Sequence, residues 1–161
     1  MAQLSMPASR PTLGTLLRHL LELVDGDVER VYREDGLDYR PRFTPVMRTV
    51  GDLGPSSIRV IAERASLTHS AASQTVTEMV ARGLVRTTPG ADRRERIVHL
   101  TAAGEELLPV LRSYWSATNT AAAGLSAEIG VDLELLLHRA SLALHELPFR
   151  DRIREKKEAA E

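Results

Sequence analysis

Thr68, His69, Ser70, Ser73, Gln74 and Thr77 place hydroxyl, imidazole and amide groups within one short run whose other residues are mostly small or apolar. Ser70, Ser73, Gln74 and Thr77 recur at three- and four-residue spacing, which gathers them on one side of a helix. Groups of this kind offer hydrogen bonds to a partner. Serine and threonine hydroxyls meet phosphate oxygens or base edges, and a glutamine amide can bond adenine through two atoms at once. Further along, Pro89-Gly90-Ala91-Asp92-Arg93-Arg94-Glu95-Arg96 brings three arginines into one charged loop. Planar guanidinium suits phosphate forks and a narrow, negative minor groove. Arg86, just before the loop, offers either a phosphate contact or an aliphatic stem laid over neighbouring surface.

Covalent and metal chemistry has little to work with. The chain of 161 residues contains no cysteine, which removes disulfides, thiol nucleophiles, thiol redox sensing and thiolate zinc sites. His19, His69, His99, His138 and His145 show no metal-ligand spacing; His138 and His145 lie seven residues apart, two helical turns. There is no HExxH, glycine-rich phosphate loop or nucleophile elbow, so neither an enzyme, a cofactor nor a metal is expected. No run approaches eighteen apolar residues and the first residues lack a secretion signal's pattern, which predicts a cytoplasmic protein without a membrane span.

The elements that must position these groups follow from apolar spacing. Leu13, Leu16, Leu17, Leu20, Leu21, Val24, Val28 and Val31 predict a long first helix, with Pro11 before it and Gly36 after it. Pro41 and Pro45 bracket a connection to a modest helix carrying Val46, Met47 and Val50. A short helix is expected over 56–65, a tight turn at Ser66-Leu67, and a helix from its Thr68 cap to Arg82. Two short helices joined by a turn make a helix-turn-helix candidate. LVRTT and RRERIVHL then read as two strands of a hairpin, with Leu67, Val76, Val80, Leu84, Val98 and Leu100 as core. Thr101 caps a helix expected to reach Ala123, before Gly124; a last helix from about Ser126 ends near Pro148, leaving FRDRIREKKEAAE as a charged tail. The fold class is therefore mainly α with a small β-hairpin wing, in a single domain over 1–161. A module at 56–101 is flanked by helices at 12–36 and 102–150 whose broad apolar faces call for a second copy of the chain.

Charge is distributed unevenly along that layout. The total is −1, yet 56–101 carries seven arginines against four acidic residues, while 12–38 carries three arginines against seven acidic residues. A basic centre beside an acidic first helix suits a phosphate backbone at one end of the molecule.

The stretch LTHSAASQTVTEMVARGLVRTTPGADRRERIVHLTAAG resembles the winged helix-turn-helix of MarR-type bacterial transcription regulators. The likeness rests on the Leu67-Thr68 turn, the Ala81-Arg82-Gly83-Leu84-Val85 exit, Asp92-Arg93-Arg94, Leu100-Thr101 and Gly104, and the long flanking helices extend it over nearly the whole chain. It implies a homodimeric, sequence-specific regulator of double-stranded DNA, expected to act as a repressor at a pseudo-palindromic operator. Thr68, His69, Ser70, Ser73, Gln74 and Thr77 would lie in the major groove, and Arg86, Arg93, Arg94 and Arg96 would lie on the wing. Asp92 would structure the wing by holding Arg94 or Arg96. Gln74 stands where many members of that family carry arginine. The resemblance also implies a small aromatic or anionic effector, for which Arg18, His19, Tyr39, Arg48, Tyr114 and Trp115 are the candidate pocket residues. The alternative is a winged-helix adaptor that binds protein without using DNA.

Overall fold

Short polar side chains cap the starts of five helices among the described residues. The computed structural model describes residues 11–92 and 95–160. Thr12 accepts a hydrogen bond from the Thr15 N–H and starts α1 (Leu13–Glu34). A single 3-10 turn at Pro41–Phe43 leads into α2 (Thr44–Leu53). Pro45 falls in the first turn of α2 rather than in the connection, because a proline there gives up no helix hydrogen bond. Ser57 caps α3 (Ile58–Arg64), and Thr68 caps α4 (His69–Ala81) with 3.2 Å from its Oγ1 to the Ala71 nitrogen. Between α3 and α4 Ser66 has φ 53°, the one positive value among described non-glycine residues, and this reverses the chain sharply.

The expected hairpin is present as β2 (Val85–Pro89) and β3 (Arg96–Leu100), antiparallel, with Val85 opposite Leu100 and Pro89 opposite Arg96. A third strand, β1 (Ser56–Ser57), pairs antiparallel with β3 and makes the order β1-β3-β2. The sequence assigned Ser56 and Ser57 to a helix. Two residues are too few to display alternation, and both serines are buried by pairing with Ile97 and Val98.

The described residues divide into two compact units, with the division after Arg112. In the first unit, Tyr32, Tyr39 and Phe43 stack edge to face with centroids 5.3 and 5.7 Å apart. They join Val46, Met47, Val50, Ile61, Ala72, Val76, Met79, Val85, Val98 and Leu111 in the core. Leu84 is buried as expected, whereas Leu67 and Leu100 are half-buried and Val80 is 42% exposed. On the α4 helical wheel Val80 lies about 70° from the centre of the buried stripe formed by Ala72, Val76 and Met79.

The helix after the wing, α5 (Ala102–Ile129), is longer than expected, since Gly124 is tolerated within it and the chain turns only at Gly130, with φ +69°. In the second unit, Asp132 caps α6 (Leu133–Glu146), and the segment read as a tail forms α7 (Phe149–Glu158). Arg152 holds that last helix to the end of α6 by donating to the Leu147 and Ala143 carbonyls at 3.1 and 2.8 Å. Among the described residues no helix is long and apolar enough to cross a membrane.

Candidate nucleic-acid interface

The exposed side of α4 is where the sequence-selected polar residues meet. His69, Ser70, Ser73, Gln74 and Thr77, together with Glu78 and Ala81, line an open concavity of about 580 Å³. Thr68 stands immediately before it and fixes the start of the helix. His69, Ser70, Gln74 and Thr77 are exposed, while Ser73 is half-buried at the edge. Two of the hydroxyls are already engaged. Thr77 Oγ1 donates to the Ser73 carbonyl at 2.9 Å, leaving its oxygen to accept, and Ser73 Oγ receives Arg96 Nη2 at 3.3 Å. The first residue of β3 therefore leans onto the helix and ties the wing to the polar face. Ser70 and Gln74 keep both donor and acceptor capacity facing solvent.

The wing rests on a well-defined base. The Gly90 N–H donates to the Glu95 carbonyl and the Glu95 N–H to the Asp92 carbonyl, each at 2.8 Å, closing the tip. Arg86 is exposed on β2, opposite His99, and His99 Nε2 lies 2.8 Å from Thr88 Oγ1. Arg93 and Arg94 lie outside the described residues. At the far end of the hairpin Thr101 Oγ1 donates to the Gly83 and Leu84 carbonyls at 2.5 and 3.2 Å and accepts from the Gly104 N–H at 3.1 Å. Thr101 thus caps α5 as expected and pins it to the exit of α4.

A second cluster on the opposite shoulder of α4 was not singled out by the sequence reading. Glu78, the only carboxylate of α4, accepts from Arg40 Nη1 at 2.9 Å on one oxygen and from Arg42 Nη2 on the other. Arg82 approaches it to 3.8 Å and donates to Asp38 at 2.5 Å. The Arg42 and Arg82 guanidinium carbons lie 5.8 and 5.5 Å from the centroid of the Phe43 ring. The hydrogen bond from Arg42, followed by the charges of Arg42, Arg40 and Arg82, holds the Glu78 carboxyl below its ordinary range. The signal in the sequence was a lone carboxylate in a helix without lysine or arginine, which calls for a cation from elsewhere.

Four of the six residues suggested for an effector, Arg18, His19, Tyr39 and Arg48, lie in the first unit. Arg18 and His19 are exposed on α1, Arg48 is exposed on α2, and Tyr39 is buried against Tyr32 and Phe43 with its hydroxyl 3.4 Å from Thr44 Oγ1. Burial drives the Tyr39 phenol well above its ordinary pKa. In the second unit Tyr114 is half-buried and Trp115 buried. Among the described residues no three histidine or carboxylate side chains could share a metal ion.

Residues 44–95 match the family model of the MarR family. No curated protein matches the chain. Among solved structures, the Mycobacterium tuberculosis transcriptional regulator MosR in complex with DNA superposes with a TM-score of 0.66 at 21% identity, covering 84% of this chain and 96% of that one. PcaV from Streptomyces coelicolor, in complex with its natural ligand, gives 0.62 at 17% identity over 91% and 99% of the two chains. Bordetella bronchiseptica BpsR, whose DNA binding is regulated by 6-hydroxynicotinic acid, gives 0.61 at 17% identity over 83% and 98%. With a helix pair joined by a sharp turn, a hairpin wing and long helices on either side, the chain has the winged helix-turn-helix fold of the MarR family.

Proposed function

We propose that the chain is a sequence-specific regulator of transcription that binds double-stranded DNA as a homodimer, represses from a pseudo-palindromic operator, and is released by a small aromatic or anionic effector. The observation that carries this reading is the exposed polar face of α4. Ser70, Gln74 and Thr77 project along it, Thr68 fixes its start, and Arg96 ties the wing to it through Ser73. Ser70 and Gln74 read base edges in the major groove, Gln74 preferring adenine. His69 and Ser73 meet phosphate. Arg86, Arg93, Arg94 and Arg96 act from the wing, with Arg93 or Arg94 in the minor groove and Asp92 shaping the loop.

Dimerisation is supported by apolar surface that one chain leaves open. Leu13, Leu16, Leu17, Leu21, Leu23 and Val24 are all more than 40% exposed on α1, as are Leu135, Leu136, Leu142 and Leu144 on α6. Surface of that extent on water is costly, and a two-fold partner covers it on both copies at once. Two recognition helices related by such an axis would enter half-sites about one helical turn apart.

Gel-shift titration on the DNA upstream of the protein's own gene, against an unrelated duplex and over a range of salt, tests the reading. A preference for the upstream DNA that persists as salt rises is expected. Equal binding to both duplexes would refute sequence-specific regulation, and no binding to either would leave the protein adaptor as the better account. Light scattering should give twice the chain mass, 35.4 kDa from 17.7 kDa per chain.

A further inference from the structure

We propose that Arg40 and Arg42, on the segment joining α1 to α2, are phosphate-binding residues serving the shoulder of α4 opposite the wing. The inference rests on the DNA-binding reading and extends it to a segment that neither the helix-turn-helix nor the wing contains.

The polar face of α4 has two edges. Ser73 and Glu78 are five residues apart, which sets them about 140° apart around the helix, with Ser70, Gln74, Thr77 and Ala81 between them. A helix seated in a major groove has a wall of phosphates on each side. On the Ser73 edge a cation is in place, because Arg96 lies against that hydroxyl. On the other edge the helix itself offers only the Glu78 carboxylate, which a phosphate wall would repel.

The cluster around Glu78 reverses that sign. Arg40, Arg42 and Arg82 face Glu78 and Asp38, three positive charges against two negative. The work is divided among the three by exposure. Arg82 is only 21% exposed and bridges both carboxylates, whereas Arg40 and Arg42 are 40% and 54% exposed. Each of these two donates to Glu78 through one terminal nitrogen, and a guanidinium carries five N–H donors. The remaining donors are free to fork onto a phosphate while the carboxylate stays bound.

Glu78 thereby acts as a template. It holds two arginines side by side, one on each of its oxygens, and the Phe43 ring beneath Arg42 fixes that guanidinium further. Arginines already held in place lose less side-chain freedom on meeting DNA than solvated ones would.

The test compares full-length wild type, R40Q/R42Q and R42K by fluorescence anisotropy, on the upstream duplex and on an unrelated one, with salt varied. The double variant should lose at least about tenfold in affinity at physiological salt on both duplexes alike. Its plot of log K against log salt should be shallower by about 0.9 for each phosphate that is no longer neutralised, hence about 1.8 per protomer. R42K keeps the charge and should keep the slope. An unchanged slope in R40Q/R42Q, or a loss confined to the upstream duplex, overturns the inference while the DNA-binding reading stands. Wild type that binds neither duplex overturns both. If the double variant does not fold, R42Q alone decides: it leaves Arg40 and Arg82 on Glu78, and its slope should fall by about 0.9 per protomer, an unchanged value again overturning the proposal.

Discussion

Alanine at Gly104 should cost the protein much of its margin of stability, and alanine at Gly124 in the same helix should do the opposite. A Cβ on Gly104 would stand 2.2 Å from the Leu84 carbonyl oxygen and 3.4 Å from Leu100 Cδ2. The obstacle is backbone, so no rotamer change relieves it, and about 1 Å of movement is needed to restore the ordinary C···O separation of about 3.3 Å. The same oxygen accepts from the Thr101 nitrogen and hydroxyl, both at 3.2 Å, and these bonds tie α5 to the exit of α4. Overpacking of this kind costs about 1–3 kcal/mol, and a broken or lengthened hydrogen bond about 1 kcal/mol more. Alanine's better helix propensity returns about 1 kcal/mol. The net loss is about 2 kcal/mol, or about 4–8 °C in Tm for a chain of this size. Nothing lies within 4 Å of a Cβ on Gly124, so there the propensity gain of about 1 kcal/mol stands alone. Thermal and urea denaturation of both variants, followed by circular dichroism, give the comparison. A G104A protein as stable as wild type, or indistinguishable from G124A, would refute the close approach at Leu84.

Three further outcomes follow from the site. Gln74→Ala should lower discrimination at a single base pair of each half-site by about 1–3 kcal/mol, read by titrating a panel of singly substituted duplexes. A uniform loss across the panel would show that Gln74 touches only the backbone. Exchanging Arg93 and Arg94 together for alanine should weaken DNA binding with the dimer intact by light scattering, and unchanged affinity in the folded variant sinks the wing assignment. The Glu78 carboxyl, held below its ordinary pKa chiefly by the Arg42 hydrogen bond, contributes stability that is present above the unfolded value and is lost as pH falls through the folded one. The Tm difference between wild type and E78Q should therefore shrink on going from about pH 5 to about pH 3, and a constant difference would exclude that linkage.

What the sequence made legible was local. Thr68, Thr101 and Gly36 mark their helix ends through chemistry contained within a few residues, and the alternation in RIVHL shows a strand whatever it pairs with. The polar face of α4 was legible for the same reason, since helical spacing alone gathers Ser70, Gln74 and Thr77. The misreadings occur where a distant partner decides the outcome. Ser56 and Ser57 become a strand only because β3 lies beside them, about forty residues along the chain. Gly124 stays helical because α5 has no break of its own until Gly130 takes a positive φ.

The cluster at Glu78 brings out the chemical content of that distinction. Arg40 and Arg42 flank Pro41 in a segment that reads as a connection, and their meeting with a carboxylate 36 to 38 residues away follows from the packing of Tyr32, Tyr39 and Phe43. Those three rings fix the path of the chain between α1 and α2, and the path places the guanidiniums at the edge of α4. Regional charge totals pass over this arrangement: Arg40 and Arg42 lie between the acidic first helix and the basic module, counted with neither. The electrostatics at this edge of α4 are therefore assembled by the aromatic core, and a substitution at Phe43, whose ring makes no hydrogen bond but lies under the Arg42 guanidinium, should weaken the phosphate contacts proposed for Arg42.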